Sequence, residues 1–384
     1  MREMAKRQVG LMELQVSTKY LKIVANIKEM IAVGEIMPGG KLPSENQLSV
    51  QYGVSRHTIR KAISILSDQG YLVSMHGKGT YLVDQHKTKK SSSNIGVITT
   101  YISDYIFPQV IKGIDEVLTS NGYSIILKNT GNSQKKEAIC LEDMLTKDID
   151  GLIIEPSRSE VLCKNEDLYF EFAVRHIPIV FIQGRYLQMR DEPAVVMNDK
   201  LGGYMAAKHL IELGLRHLIG IFKMDDYQGN ERYKGFVKAL KESGIPYDPD
   251  DIIWFHTEDR RSKPATMIHY MISEGRLIDG IVCYNDQVAL DVLNVLTAAG
   301  IKVPLDISIV GHDDSFIAKN APVKLTTIYH PKELLGEMAA DMLMEKIRGK
   351  EQKYSEPVQV IEPKLIIRDS TKTTCLNEGT SCNI

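Results

Sequence analysis

The sequence predicts an α/β protein in two parts, an N-terminal winged helix-turn-helix of α+β type followed by a two-lobed domain built on parallel sheets. Three observations carry this. Two short helical patterns flank Gly53 with cap residues at the right offsets; two apolar runs between Gly70 and Val83 read as a β-hairpin; and from Ile95 onward short continuous apolar runs alternate with helical periodicity.

The first helix is expected over Lys19 to Val33, where Tyr20, Ile23, Ile27 and Ile31 share a face and Gly34 and the Pro38-Gly-Gly turn end it. Ser44 stands three residues before Gln47 in capping-box spacing, and Pro43 discourages an earlier helical start. Gly53 closes this second helix. Ser55 then caps a third, whose Ile59, Ala62, Ile63 and Leu66 follow the i, i+3, i+4, i+7 spacing of a buried stripe. Arg56, His57, Arg60 and Lys61 fall on its other side, the pattern that a major groove accepts from a recognition helix. The plainer alternative is a helical hairpin with a solvated basic face.

Charge favours the nucleic-acid reading. The chain of 384 residues has a net charge of -2, but residues 1–93 hold 14 Lys and Arg against 7 Asp and Glu. The basic excess therefore sits where phosphate contact is needed, and the remainder is acidic. At this length two or three cores are expected, and 43% hydrophobic with 25% charged residues is a globular composition. The five cysteines form no C-x-x-C pair and no zinc spacing, which predicts reduced thiols and no metal or other cofactor. No signal peptide and no apolar run of about 18 residues is present, so a cytoplasmic protein without a membrane partner is expected.

The expected organisation is an extension over residues 1–17, the winged helix over 18–84, a linker over 85–93, the two-lobed domain over 94–370 and a tail over 371–384. Gln85 to Ser93 is polar and cationic, and at this length a flexible span of about 15 to 18 Å would let the head reorient. Strands are expected at Ile95–Thr99, Tyr123–Leu127, Gly151–Ile154, Ile179–Ile182, Leu218–Phe222, Gly280–Cys283 and Ser308–Gly311, with helices at Lys200–Leu213 and Gln287–Ala299. The lobes are expected to divide near Asn198 to Gly203. Ligands in such sheets bind beyond the carboxyl ends of the strands.

The run "GGKLPSENQLSVQYGVSRHTIRKAISILSDQGYLVSMHGKGTYL" resembles the DNA-binding domain of the GntR family of bacterial repressors, over roughly residues 18–83. The body resembles the LacI/GalR effector-binding domain, a relative of periplasmic sugar-binding proteins. That resemblance rests on Ile95-Gly-Val, Asp150-Gly-Leu-Ile-Ile, Arg232-x-x-Gly-Phe236, Cys283-Tyr-Asn-Asp-Gln, Val303-Pro-x-Asp-Ile-Ser-Ile-Val-Gly311 and Leu325-Thr-Thr-Ile328. Together with Thr99-Thr-Tyr-Ile-Ser-Asp-Tyr-Ile-Phe-Pro108 and Ile154-Glu-Pro156, the fusion resembles the arabinose-responsive repressors of Gram-positive bacteria. The resemblance implies a homodimeric repressor that leaves operator DNA when a sugar, L-arabinose, binds the body. A transport-type sugar-binding protein, or a LacI-like regulator of another sugar, is the alternative.

On DNA, Arg56, His57 and Arg60 are expected at base edges and Lys41, Ser44 and Thr58 at phosphates, with Glu45 and Ser55 in the same surface. His76, Gly77, Lys78 and Gly79 would form the wing tip in the minor groove. A neutral sugar needs carboxylates and amides for its hydroxyls and an aromatic for its C–H face. Candidates for the polar set are Thr100, Asp104, Glu155, Gln183, Arg232, Asn285, Asp313 and His330, with Tyr105 or Phe107 as the cover. The resemblance implies that Arg232, Asn285 and Asp313 hold hydroxyls. Gln183 and His330 read equally well as solvated loop residues. The acids argue against a phosphorylated sugar. Adjacent carboxylates at Asp225-Asp226 and Asp313-Asp314 invite a hydrolase reading, but no G-x-S-x-G, H-E-x-x-H or G-x-G-x-x-G accompanies them, so no catalytic residue is expected.

Overall fold

A computed structural model describes residues 19–75, 77–83, 92–102, 105–349, 354 and 356–372. The expected extension, most of the linker, most of the tail, and the candidates His76 and Asp104 lie outside the described residues.

The head is three helices and a hairpin: α1 (Lys19–Ala32), α2 (Glu45–Tyr52), α3 (Arg56–Asp68), β1 (Leu72–Met75) and β2 (Gly79–Leu82). Its local signals act as the sequence predicts. Ser44 accepts from the Gln47 amide while the Gln47 side chain takes the Ser44 amide, completing the capping box. Gly53 adopts φ 61°, a left-handed stop that a side chain would strain, and Ser55 caps α3 through the Thr58 amide. Ile59, Ala62, Ile63 and Leu66 are buried against Ile23, Ile27 and Ile31, and each large side chain so buried contributes about 1.5 to 3 kcal/mol. α1 also rests on the body, where Lys28 Nζ lies 3.2 Å from Glu171 Oε2.

The body has two six-stranded sheets. The first lobe runs β3 (Asn94–Thr99), α4 (Phe107–Ser120), β4 (Ser124–Asn129), α5 (Gln134–Thr146), β5 (Gly151–Ile154), α6 (Glu166–Val174), β6 (Ile179–Ile182) and β7 (Ala194–Met197). The second runs α7 (Asp199–Glu212), β8 (Leu218–Lys223), α8 (Tyr227–Glu242), β9 (Ile252–Phe255), α9 (Lys263–Ser273), β10 (Gly280–Cys283), α10 (Asp286–Ala298), β11 (Ser308–Asp313), α11 (Phe316–Asn320) and β12 (Thr326–Tyr329). The chain then returns. α12 (Lys332–Arg348) and β13 (Val358–Ile361) join the first lobe, and β14 (Lys364–Ile366) rejoins the second.

All pairings in the body are parallel except β14 against β12. The central strands β5, β6, β8, β10 and β11 are buried at every position, which is why Gly151–Ile154, Ile179–Ile182, Leu218–Phe222, Gly280–Cys283 and Ser308–Gly311 read as continuous apolar runs; β7, equally buried, was not among the expected strands. Two glycines set the contact that matters for function: a Cβ on Gly203 would lie 2.0 Å from the Arg232 carbonyl oxygen, and one on Gly235 1.9 Å from that of Lys200. α7 and α8 therefore touch backbone to backbone, and this holds Arg232 at the mouth between the lobes.

Candidate functional site: a cleft between the lobes and a basic head

The carboxyl ends of β3, β5 and β6 face those of β8, β10 and β11 across a cavity of about 710 Å³, within the usual range for small-molecule sites. Thr100, Tyr105, Phe107, Glu155, Gln183, Arg232, Asn285 and Asp313 all line it. His330 does not; its Nε2 lies 3.1 Å from Gln183 Oε1, behind the wall. Tyr101, Lys223, Asp226 and Tyr284, polar residues at strand ends that were not chosen as candidates, also line the cavity, as do Asn132, Arg260 and Arg261, which the sequence did not single out.

Arg232 is the organising charge. It is 4% exposed, yet its Nε donates to Asp199 Oδ1 at 2.8 Å, its Nη1 donates to the Tyr284 carbonyl at 2.6 Å, and its Nη2 lies 3.7 Å from Asp313 Oδ1. The guanidinium also sits 4.9 Å from the centre of the Tyr284 ring. Burial alone would lower its pKa, but Asp199 and Asp313 outweigh that and push it above the usual arginine range. Lys223 is similarly neutralised, 3.0 Å from Asp226 and 3.5 Å from Asp225. Asn285 spends its Oδ1 capping α10 through the Val288 amide.

Across the cleft, Glu155 accepts from the Thr100 amide at 2.8 Å and the Thr100 hydroxyl at 2.6 Å. Burial raises its carboxyl to about 7 despite these bonds. A carboxyl raised by folding is favoured in its protonated form, so its contribution to stability is present below the unfolded value near 4.3 and is lost as pH rises through about 7. Glu155→Gln is therefore expected to flatten the fall in melting temperature between pH 5 and pH 8; an unchanged slope would show that Glu155 stays ionised throughout.

Tyr105 joins the lobes. From the loop after β3 its hydroxyl donates to the His312 carbonyl at 2.9 Å and accepts from the Asp286 amide at 3.0 Å, both in the second lobe. Asn132 Nδ2 donates to Thr257 Oγ1 at 2.7 Å and the Tyr227 amide to Ser159 Oγ at 2.9 Å, also across the cleft. These contacts describe a closed arrangement. Of the eight non-glycine residues at positive φ among the described residues, Tyr105, Asn132, Gln183 and Asp313 line the cavity. Backbone strain gathered at one concavity is a mark of a binding site.

On the head, Arg56, His57 and Arg60 are exposed along α3 and Lys78 stands at the hairpin tip between Gly77 and Gly79. Arg60 is braced by Glu45, Nε to Oε2 2.8 Å, which leaves its outer nitrogens free to reach outward. Lys41 crosses the wing over Gly79, where an added Cβ would meet Lys41 Cε at 2.7 Å. The Ser44 and Thr58 hydroxyls are already engaged, with Gln47 and Ser55. Among the described residues no group of His, Cys, Asp or Glu side chains forms a metal site, and no helix is long and apolar enough to cross a membrane.

A basic helix-turn-helix with a wing, joined to a hinged two-lobed small-molecule site, defines a ligand-responsive transcription regulator. Residues 19–82 match the model of the bacterial regulatory proteins of the gntR family, and residues 207–371 that of a periplasmic binding protein-like domain. The chain is 40% identical to the arabinose metabolism transcriptional repressor of Halalkalibacterium halodurans over 94% of its own length and 99% of the relative, and 39% identical to that of Geobacillus stearothermophilus over 92% and 98%. It belongs to the family of arabinose metabolism transcriptional repressors. Among solved structures, a CelR transcriptional regulator in complex with cellobiose superposes with a TM-score of 0.65 at 21% identity, covering 86% of this chain and 100% of that one. A periplasmic binding protein/LacI transcriptional regulator from Alkaliphilus metalliredigens, complexed with D-xylulofuranose, gives 0.62 at 27% identity over 73% of this chain and 100% of that one.

Proposed function

We propose that the chain is a cytoplasmic, homodimeric repressor of sugar-utilisation genes that binds duplex operator DNA through its head and releases it when L-arabinose fills the interlobe cavity. The observation that carries the sugar reading is the composition of the cavity wall. Four carboxylates (Glu155, Asp226, Asp291, Asp313) face four cations (Lys223, Arg232, Arg260, Arg261), with amides and aromatic rings between them. Such a wall offers donors and acceptors in equal measure and little net field, which suits a neutral polyol better than a phosphate ester. The family membership points to the same sugar. The adjacent carboxylates that invited a hydrolase reading are committed elsewhere: Asp225 takes the Thr257 amide and hydroxyl, and Asp226 takes the Tyr284 hydroxyl. Asp314 is paired with Lys319 and Arg368, and Asp313 lies 3.7 Å from Arg232; the reading assigns no catalysis.

In this mechanism the lobes close on the sugar, Tyr105 engages the second lobe, and the movement shifts the spacing of the two heads in a dimer. Half-sites on DNA are read at a fixed spacing of about one helical turn, so a small change in head separation removes affinity. A melting-temperature screen tests the effector: L-arabinose is expected to stabilise the chain, whereas stabilisation by phosphorylated sugars alone would overturn the assignment. For the head, Arg56→Ala is expected to cost about 1 to 3 kcal/mol of operator discrimination while sugar affinity stays near that of the parent. An equal loss on random duplex DNA would make Arg56 a phosphate contact.

A further inference from the structure

We propose that Lys332, which does not line the cavity, is a positioning residue for the effector: its ammonium holds the end of β11 in the backbone shape that turns the Asp313 carboxylate into the cavity. The proposal rests on the sugar reading of the cavity and deepens it. Lys332 is 6% exposed, and its Nζ donates to three backbone carbonyls, those of Asp313, of Asp314 at 3.2 Å and of His330 at 3.2 Å. An ammonium has three N–H groups and no acceptor, so this ring of carbonyls matches the charged form donor for donor. Bonds from such a cation are charge-assisted and stronger than those between neutral groups.

The carbonyls it gathers belong to a strained segment. Asp313 stands at φ 99° and Asp314 at φ 47°, two successive side-chain-bearing residues in the region that favours glycine. Such a pair persists only where its surroundings over-determine it. Asp314 is held through its side chain, by Lys319 and Arg368, and its amide donates to Thr327 Oγ1 at 3.3 Å. Asp313 has its Oδ1 3.7 Å from Arg232, and its carbonyl is one of those that Lys332 grips. The direction in which Cβ leaves the chain follows φ and ψ, so fixing these carbonyls fixes where the Asp313 carboxylate points. Lys332 acts from a firm base. It opens α12, which lies against α4 of the first lobe: a Cβ on Gly336 would meet the Val110 carbonyl oxygen at 2.2 Å, and one on Gly113 that of Glu333 at 2.2 Å. A first-lobe helix pair thus reaches, through one side chain, the end of a second-lobe strand.

The test is calorimetric titration of the full chain with L-arabinose and with each of its singly deoxygenated analogues. Lys332→Met is expected to lower affinity for L-arabinose about 10- to 100-fold. In an Asp313→Asn background the same change is expected to cost little more, and the analogue whose affinity Asp313→Asn leaves unchanged is expected to be the one that Lys332→Met leaves unchanged. A merely structural lysine would weaken every analogue alike. Lys332→Gln, which keeps an NH2 donor, is expected to show the same pattern with a smaller loss, and it carries the test if the methionine variant does not fold. Parent-like affinity in either folded variant, or equal losses on every analogue, would overturn the inference alone. No binding of L-arabinose by the parent chain would overturn the sugar reading and the inference with it.

Discussion

Arg232→Met is expected to abolish effector binding and to lower the melting temperature of the body by roughly 10 °C. The guanidinium offsets the buried Asp199 at 2.8 Å, and Asp199 Oδ2 already has no partner, so removing the cation strands a carboxylate with no solvent to take it. Breaking one side of such a pair costs about 3 to 5 kcal/mol. Lysine cannot substitute, because a single ammonium reaches neither Asp199 and the Tyr284 carbonyl together nor the face of the Tyr284 ring. Differential scanning calorimetry with a parallel sugar titration checks both effects. A variant that melts like the parent would mean that Asp199 is protonated in the fold and Arg232 is dispensable.

Tyr105→Phe is expected to raise the sugar concentration needed for DNA release by making closure of the lobes less favourable. The substitution keeps the ring that lines the cavity but removes the hydroxyl that both donates to the His312 carbonyl and accepts from the Asp286 amide. Each of these backbone groups, left unpaired in a closed cleft, costs about 1 to 3 kcal/mol. The open arrangement pays neither cost, so closure becomes less favourable and apparent sugar affinity falls by the same factor, about tenfold or more. Operator complexes of the variant should then persist at sugar concentrations that empty the parent. Release at the parent's sugar concentration would show that the Tyr105 hydroxyl does not couple the lobes.

The head was legible because its signals are local. Ser44 with Gln47, Gly53 and Ser55 each declare a helix end within four residues, and the structure places every one as read. The central strands were legible for a related reason, since burial on both faces makes Gly151–Ile154 or Gly280–Cys283 apolar throughout. The edges were not. Val358–Ile361 is partly exposed at three of four positions, and Lys364–Ile366 pairs antiparallel where a wholly parallel sheet was expected. Their strand character comes from partners distant in sequence, to which periodicity is blind.

That blindness reached the site. Ile252–Phe255 is an edge strand not counted among the expected runs, and the loop beyond it, which brings Arg260 and Arg261 into the cavity, went unread. Tyr105 was read as a cover for a sugar ring, yet its hydroxyl crosses to the second lobe, a contact between residues about two hundred positions apart. Gln183 and His330, which looked equally like loop residues, meet only because the chain returns through the hinge. Polar residues at strand ends could be found from sequence; which of them already have partners could not.

Coupling between sugar and operator is the central claim, and one titration tests it most directly. Operator affinity is measured at fixed salt with and without saturating L-arabinose, and sugar affinity is measured for the free chain and for the DNA complex. Linkage requires the two ratios to be equal, and each is expected to be a loss of at least about tenfold. An operator affinity that L-arabinose leaves unchanged, in a chain that binds the sugar, would contradict the account.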